Sequence, residues 1–422
     1  METIFKEIIQ IMHNDYAGCK DKEGWDRPEY FIRKIRENRR LSHKEFKQIV
    51  EEYLLDFNDN HIHFIMEDAE DEKQKSRGFK VRRYEDRLYV TEVETEDRLE
   101  LGMSFVSIGG YSIPELKERH HRLLNENHAE RENWASILMF YSEGEVEDEN
   151  GTRTFTFGVF DKKPYVPTYS VEEREGVAFI TITDFADPDA IVKLVEENKG
   201  FLEATDKWII DVRVNYGGSD SSFYPFIPYL VPEEGVELAE PGNTMLFNCT
   251  EANANRILPE LEAALTATDD EQAKWFLSVF KREWQQNRGK GFVEFDFGDM
   301  MSDTFVKGTK HPSSVIVLSD VFCGSSGDSF VEAAKKSSKV TVIGRATMGL
   351  NDYANLVTAK WAEGFELMYP SSRLSRIDKG EGMTGVGIVP HEYIPWTPEH
   401  IVEDIDVKKA LELLSRNEII AD

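Results

Sequence analysis

Apolar residues follow a helical period through the first part of the chain. They recur at every third or fourth position between residues 4 and 16 and again between residues 30 and 54, which places them on one face of a helix. The period ends near Asp59-Asn60-His61, where turn-forming side chains precede an alternation typical of a strand. The pattern therefore predicts a helical N-terminal segment over residues 1–70.

Short strands replace the helical period between residues 75 and 165. The strands that alternating positions predict are residues 78–83, 88–93, 104–108 and 155–159. Residues 142–153 form an acidic hairpin, with Asn150-Gly151 as its turn. The Pro-containing stretch up to Tyr169 is typical of a linker. We therefore predict a small β domain over residues 75–165.

Strands and helices alternate from residue 168 onwards. The apolar runs predict strands at 177–183, 208–212, 313–319 and 340–344, and the helical patterns predict helices at 191–202, 329–336 and 402–414. Residues 252–290 add a helical insertion, whose aromatic stripe of Trp275, Phe276, Phe280 and Trp284 is typical of core packing. We predict an α/β core over residues 168–422, in a chain of the α+β multi-domain kind.

Composition removes several classes of partner. Of 422 residues, 40% are hydrophobic and 31% are charged, as in soluble globular proteins. A formal charge of −29 argues against nucleic acid, because phosphates are bound by Lys and Arg. Neither a membrane-spanning apolar run nor a signal-like start is present, which predicts no membrane contact and a cytoplasmic location. The three cysteines lack metal-site spacing, so no metal is predicted.

A small-residue turn, Gly324-Ser325-Ser326-Gly327, separates a predicted buried strand from a predicted helix. A serine on such a turn has an exposed hydroxyl, and the first N–H groups of the helix lack intrahelical partners. This arrangement suits a nucleophile. A plain helix N-cap is the alternative reading of the same residues.

Two further elements bear on that choice. The buried strand at 208–212 runs into Gly217-Gly218, and paired glycines let backbone N–H groups approach a substrate as an oxyanion hole requires. His61 and His63 point to opposite faces of a strand, so at most one of them faces a site. A lone histidine at such a place is otherwise structural.

The order of these motifs resembles the tail-specific (C-terminal processing) and tricorn-core serine peptidases. The segments that carry the resemblance are VAFITITDF, KWIIDVRVNYGG, the Ser325 stretch with VTVIGRATMG, and GVGIVPHEYIP. It implies a ClpP/crotonase-like core, a nucleophilic Ser325 three positions before Asp328, and no cofactor. Gly217, Gly218 and Ser326 would then supply the oxyanion hole.

Residues 77–124 resemble a PDZ domain. Gly78 and Phe79 would lie at its carboxylate-binding loop, which captures the end of an extended peptide. The alternative is a small barrel that only packs against the next domain.

The resemblance also implies a general base. The lysine of the processing type is replaced by Leu350, whereas Asp59-Asn60-His61 is similar to the DxH element of the tricorn type, so His61 is the expected base. The glutamate that would orient it is replaced by Thr384, and the final aspartate of that motif is replaced by His391. Glu381 or Asp378 could substitute for the missing carboxylate.

These expectations favour a serine endopeptidase that acts on peptides or unfolded protein segments through an acyl-enzyme at Ser325. A catalytically silent peptide-binding scaffold of the same fold is the first alternative, and Thr384 favours it. A crotonase-like acyl-transfer enzyme is the second alternative, but nothing in the chain resembles its CoA-binding elements. The expected partners are peptide or protein substrates, and a homo-oligomer stays open.

Overall fold

The computed structural model describes residues 1–38, 40–66, 75–148, 151–239, 242–298 and 304–419, and the fold is of the mixed α/β kind. Its α-helices are Glu2–Gln10 (α1), Pro28–Glu37 (α2), His43–Leu54 (α3), Ile113–Arg119 (α4), Ala135–Met139 (α5), Pro188–Ala204 (α6), Ile227–Leu230 (α7), Glu251–Ala267 (α8), Glu271–Asn287 (α9), Ser326–Lys335 (α10), Glu399–Val402 (α11) and Ile405–Ile419 (α12).

The strands in the first half of the chain are His63–Met66 (β1), Lys75–Ser76 (β2), Phe79–Tyr84 (β3), Arg87–Val93 (β4), Ser104–Ile108 (β5), Tyr111–Ser112 (β6), Glu143–Asp148 (β7), Gly151–Thr156 (β8), Phe160–Asp161 (β9), Tyr169–Arg174 (β10), Val177–Ile182 (β11) and Lys207–Asp211 (β12). Those in the second half are Val214–Asn215 (β13), Val236–Glu237 (β14), Met245–Cys249 (β15), Gly291–Glu294 (β16), Phe305–Val306 (β17), Ser314–Ser319 (β18), Phe322–Cys323 (β19), Val340–Gly344 (β20), Tyr353–Lys360 (β21), Phe365–Leu374 (β22) and Glu392–Tyr393 (β23).

The chain divides into two compact units. Unit 1 comprises residues 1–69, 237–305 and 350–384, and unit 2 comprises residues 70–236, 306–349 and 385–422. Both units are discontinuous along the chain, whereas the domains predicted from the sequence are continuous. Those domain boundaries stay a prediction.

Unit 1 is built on a sheet with the strand order β1-β22-β15-β16, to which β21 adds by pairing with β22. Helices α1 to α3 bury their apolar faces in one cluster with the side chains of β1, β21 and β22, including Phe5, Phe46 and Phe365. The predicted N-terminal helices are thus confirmed, and their periodic apolar positions are the ones that this core buries.

Helices α8 and α9 form the predicted helical insertion. Trp284 is fully buried there, in a cluster with Phe247 and Phe295. Trp275, by contrast, is 50% exposed and Phe276 is 44% exposed. Core packing therefore accounts for only part of the aromatic stripe that the sequence shows.

Unit 2 contains two principal sheets. One has the order β3-β4-β5-β7-β8, with β3 at its edge, and it encloses an apolar cluster that includes Phe105 and Trp134. Strands β7 and β8 form the predicted acidic hairpin, with Asp148 opposite Gly151. Asn150 of its predicted turn lies outside the described residues.

The other sheet of unit 2 has the order β10-β11-β12-β18-β20-β23. Strands β11, β12, β18 and β20 are parallel and buried on both faces, as their unbroken apolar runs predict. Helix α12 covers one face through Ala410 and Leu414. A bilayer span needs about 20 apolar residues, and every helix within the described ranges falls short of that requirement.

Candidate active site

Parallel pairing brings the glycine pair and the serine turn together in unit 2. Strands β12 and β18 are neighbours, so the segments that follow them leave the sheet at the same edge. These segments pair again as β13 and β19, with Val214 opposite Phe322 and Asn215 opposite Cys323. The Gly324 N–H also donates to the carbonyl of Asn215 at 2.9 Å. Two loops about 110 residues apart in sequence are therefore fixed side by side.

Ser325 has a strained backbone. It is the N-cap of α10 and has φ 57° and ψ −122°, a region that residues other than glycine rarely adopt. Such strain persists only where the surroundings enforce it, and it is concentrated at functional sites. The geometry matches the sharp strand-to-helix turn on which nucleophilic serines are displayed.

Asp328 holds this strained turn in place. One oxygen of its carboxylate accepts the Ser325 N–H at 2.8 Å, and the other accepts the Gly349 N–H at 2.9 Å. The side chain is fully buried. Because both oxygens accept backbone hydrogen bonds, Asp328 fixes the serine turn against the loop that contains Gly349.

Gly217 lies directly against the serine. A Cβ atom at this position would be 2.6 Å from the Ser325 Cβ and 2.9 Å from the Gly324 carbonyl oxygen. The Gly217 N–H donates to Asn215 Oδ1 at 3.0 Å. The oxyanion role predicted for this N–H would need that bond to open. Asn215, which the sequence analysis missed, is fully buried and anchors the glycine loop.

Gly218 and Ser326 offer two other donors. Neither N–H group has a hydrogen-bond acceptor in the part of the chain that the structure describes. The two residues are in contact, because the Ser326 hydroxyl donates to the Gly218 carbonyl at 2.8 Å. The Ser326 N–H also lies at the first turn of α10, where the helix dipole favours negative charge. These two donors suit an oxyanion.

Cys323 packs beneath this turn. Its side chain is fully buried, and a Cβ atom at Gly327 would lie 2.7 Å from its sulfur. Burial, with the nearby charge of Asp328, raises the pKa of the thiol well above its usual range. The thiol therefore stays protonated, and Cys323 is a packing residue.

His61 belongs to unit 1 and is 8% exposed. Its Nδ1 lies 2.6 Å from the carbonyl oxygen of Tyr353. Because a carbonyl can only accept, Nδ1 carries the hydrogen, and Nε2 is left with the lone pair that a general base requires. The His61 backbone N–H donates to Asp59 Oδ1 at 2.9 Å. Sequence reasoning missed Tyr353, since a backbone carbonyl leaves no trace in residue type.

Two of the three residues proposed to orient His61 have other partners in unit 1. The Thr384 hydroxyl donates to Asp352 Oδ2 at 2.7 Å. Asp378 accepts a hydrogen bond of 2.7 Å from Arg373, and Glu381 has an exposed side chain. Among the described contacts of the His61 ring nitrogens, the Tyr353 carbonyl is the hydrogen-bond partner.

The predicted peptide-binding residues lie at the start of edge strand β3. The Gly78 N–H donates to Ser76 Oγ at 3.2 Å, and its carbonyl accepts the N–H groups of Glu94, Thr95 and Glu96. Phe79 is buried in the sheet's apolar cluster. The preceding Arg77 donates to backbone carbonyls, including those of Leu138 and Gly158. These contacts fix the loop that leads into β3.

Comparison with known proteins bears on the family and the fold of the chain. The sequence pattern of peptidase family S41 matches residues 176–394, whereas none of the curated protein sequences matches the chain. The solved structure of mature CPAF complexed with lactacystin is 13% identical, with a TM-score of 0.65 over 100% of this chain and 99% of that chain. Mature CPAF is 14% identical, with a TM-score of 0.63 over 95% of this chain and 93% of that chain.

The structural likeness, at this low identity, shows a shared fold. The family match covers more than half of the 422 residues and includes both the glycine pair and the Ser325 turn. The resemblance inferred from the sequence motifs is thereby confirmed. The chain belongs to peptidase family S41, a family of serine peptidases.

Proposed function

We propose that the protein is a serine endopeptidase that cleaves peptides or unfolded protein segments through an acyl-enzyme on Ser325. The observation that carries this proposal is the strained Ser325 turn, held by Asp328 and packed against Gly217. A plain helix N-cap needs neither a positive φ nor a glycine pressed against it. We also propose that the peptidase is of the tail-specific or tricorn type.

His61 acts as the general base in this mechanism. As Ser325 Oγ attacks the scissile carbonyl carbon, its proton moves to His61 Nε2, and the carbonyl oxygen becomes an oxyanion. The N–H groups of Gly218 and Ser326 stabilise that oxyanion. The C–N bond then breaks, and the leaving amine takes the proton from Nε2. A water molecule then attacks the acyl-enzyme in the same way, with His61 Nε2 as the base, and the ester bond to Ser325 breaks.

The Nδ1 contact with the Tyr353 carbonyl supports this role for His61, because it leaves Nε2 as the basic nitrogen. A carbonyl stabilises an imidazolium less than a carboxylate does. When a serine peptidase loses only the third member of the triad, kcat falls by about 10⁴-fold but stays above the uncatalysed rate. We therefore infer an active but slower catalyst rather than an inert one.

A fluorophosphonate probe tests the proposal, because it reacts covalently with an activated serine. We expect the wild type to be labelled, Ser325→Ala to be unlabelled, and His61→Gln to be labelled at a much lower rate. Ser415→Ala and His63→Gln are matched controls, since both side chains are exposed on other elements, and they should be labelled like the wild type.

The competing function is a silent peptide-binding scaffold. Thr384 favours the scaffold, because it stands where the family has the glutamate and carries no carboxylate. Its hydroxyl is already bonded to Asp352. A folded wild-type protein that the probe leaves unlabelled would favour the scaffold over the peptidase.

We further propose that edge strand β3 captures substrate by strand addition, as a PDZ-like module would. Its terminal position in the sheet supports this, with Gly78 and Phe79 at its start. Peptides with a free or an amidated C-terminus, titrated against Ser325→Ala, test the idea. The free carboxylate should bind more tightly, and equal affinity would contradict it. The ClpP/crotonase-like core and the cytoplasmic location stay predictions.

A further inference from the structure

Lys22 is a buried cation that the mechanism above does not use. Its side chain is 4% exposed. Burying an ammonium group is costly unless it is paired and hydrogen-bonded. Desolvation lowers the pKa of Lys22, while the nearby charge of Asp59 acts in the opposite direction. The contacts of Lys22 must therefore offset the cost of burying its ammonium group.

One chain of contacts runs from Lys22 to the backbone of His61. The Lys22 ammonium donates to the Tyr16 hydroxyl at 2.8 Å, and that hydroxyl donates to Asp59 Oδ2 at 2.6 Å. The other oxygen of Asp59 accepts the His61 N–H at 2.9 Å. Lys22 Nζ lies 3.8 Å from Asp59 Oδ2, and both side chains are buried.

A second chain of contacts runs from Lys22 to the imidazole ring. The ammonium lies 4.3 Å from the centroid of the Tyr353 ring, within the range of a cation–π contact. The carbonyl oxygen of Tyr353 is the partner of His61 Nδ1. The Tyr353 hydroxyl donates to Asp21 Oδ2 at 3.1 Å, so the residue is held at both ends.

We propose that Lys22 is a positioning residue for His61, acting on its backbone through Tyr16 and Asp59 and on its ring through Tyr353. The inference rests on the proposed role of His61 as general base. Lys22 does not touch the reacting atoms. It keeps the Nδ1–H tautomer, and so leaves Nε2 free to accept the serine proton.

The tautomer of His61 is the direct test. In protein labelled with 15N-histidine at pH 8, long-range proton–nitrogen spectra distinguish an Nδ1–H ring from an Nε2–H ring, and His61→Gln assigns the signal. We expect the wild type to be Nδ1–H. Lys22→Met and Tyr16→Phe should each populate the Nε2–H form, and kcat should fall about 10- to 100-fold with KM unchanged.

Lys20→Met is the matched control, because this exposed lysine lies two positions away and contacts the Phe292 ring instead. It should leave both the tautomer and kcat as in the wild type. If Lys22→Met does not fold, Tyr16→Phe carries the test, since it keeps the ring and removes only the bridging hydroxyl. The double variant should lose no more than Lys22→Met alone, because Tyr16→Phe interrupts only one of the two chains that Lys22→Met interrupts.

An unchanged Nδ1–H signal in the folded variants would overturn the proposal. The spectra do not depend on turnover, so failure of the proposed function is a separate result. A shift in tautomer in a protein without peptidase activity would support the positioning role and refute only the catalytic one.

Discussion

The backbone of Gly217 lies against Ser325 so closely that a Cβ atom on the glycine would be 3.2 Å from Ser325 Oγ and 2.6 Å from Ser325 Cβ. Gly217→Ala should therefore displace the serine side chain. We expect the rate of fluorophosphonate labelling and kcat to fall at least about 100-fold, since misplacement of a reacting group by about 1 Å costs that much.

Gly176→Ala is the control for this substitution. Gly176 has φ +77°, almost the same as the +76° of Gly217, but nothing lies within 4 Å of the Cβ atom that it would gain. Both variants should lose about 1–2 kcal/mol of stability from the positive φ. Equal labelling of the two variants would show that contact with Gly217 does not position the nucleophile.

Asp328→Asn should loosen the serine turn. The carboxylate accepts two backbone N–H groups, and an amide can accept only one of them. The loss should cost about 1–3 kcal/mol of unfolding free energy, and probe labelling should slow because the strained conformation of Ser325 relaxes. Denaturant titration and labelling kinetics on the same sample measure both effects.

Asp187→Asn separates the special role of Asp328 from ordinary capping. Asp187 caps α6 by accepting one N–H, that of Ala190, and asparagine caps a helix as well as aspartate does. This variant should therefore match the wild type in stability and labelling. Wild-type labelling in Asp328→Asn would mean that the turn keeps its shape without the carboxylate.

Sequence periodicity predicted the elements that build the site. The run at 313–319 became β18 at Ser314–Ser319, and the run at 340–344 became β20 at the same residues. These strands are buried on both faces, so their apolar character follows directly from their environment. The serine turn was predictable because it joins a buried strand to a helix through small residues.

Contacts between distant segments were beyond sequence reasoning. The Asn215 amide holds the Gly217 N–H, and the Tyr353 carbonyl meets His61 from a segment about 290 residues away. A backbone acceptor has no residue signature, and an asparagine before a glycine pair is read as a turn former. Thr384 was singled out by its place in a motif, but its partner Asp352 was not.

A buried ion-pair network supports the segment that leads to the nucleophile. Asp320, which follows β18, accepts two hydrogen bonds of 2.7 Å from Arg82 and one of 2.8 Å from Arg345. Burial alone would raise the pKa of Asp320, but the two guanidinium groups outweigh it and hold the pKa well below its usual range. Asp320→Asn should cost about 3–5 kcal/mol, because both arginines stay buried without this carboxylate.

The control for Asp320 is Glu172→Gln, which breaks an exposed pair with Arg174 and should cost about 0–1 kcal/mol. The stability that ionised Asp320 contributes is fully present above its pKa in the unfolded chain, about 4. It is lost as the pH falls through the lower pKa of Asp320 in the folded protein. The difference in unfolding free energy between the wild type and Asp320→Asn should thus become smaller at acidic pH. A gap that stays constant from pH 7 to pH 3 would contradict the assigned role.

His391, which occupies the place of the family's aspartate, makes the stability of the protein depend on pH in a higher pH range than Asp320 does. Its Nδ1 accepts the Val342 N–H at 2.9 Å, so the ring must be unprotonated at that atom. Burial, together with the positive charge of Lys335, lowers the pKa of His391. The unfolded chain therefore takes up the proton first, and the stability that His391 contributes is full above about pH 6.5 and falls as the pH drops below it.

His391→Gln should remove this dependence while keeping an acceptor for the Val342 N–H, because the glutamine amide oxygen accepts but does not titrate. Urea unfolding at pH 5 and pH 7.5 should show a smaller difference in unfolding free energy for His391→Gln than for the wild type. His121→Gln, at an exposed histidine whose Nδ1 faces the Glu118 carbonyl, controls for the loss of one imidazole. If His391→Gln keeps the full wild-type difference, the Val342 contact does not govern the titration, and other histidines carry the pH dependence.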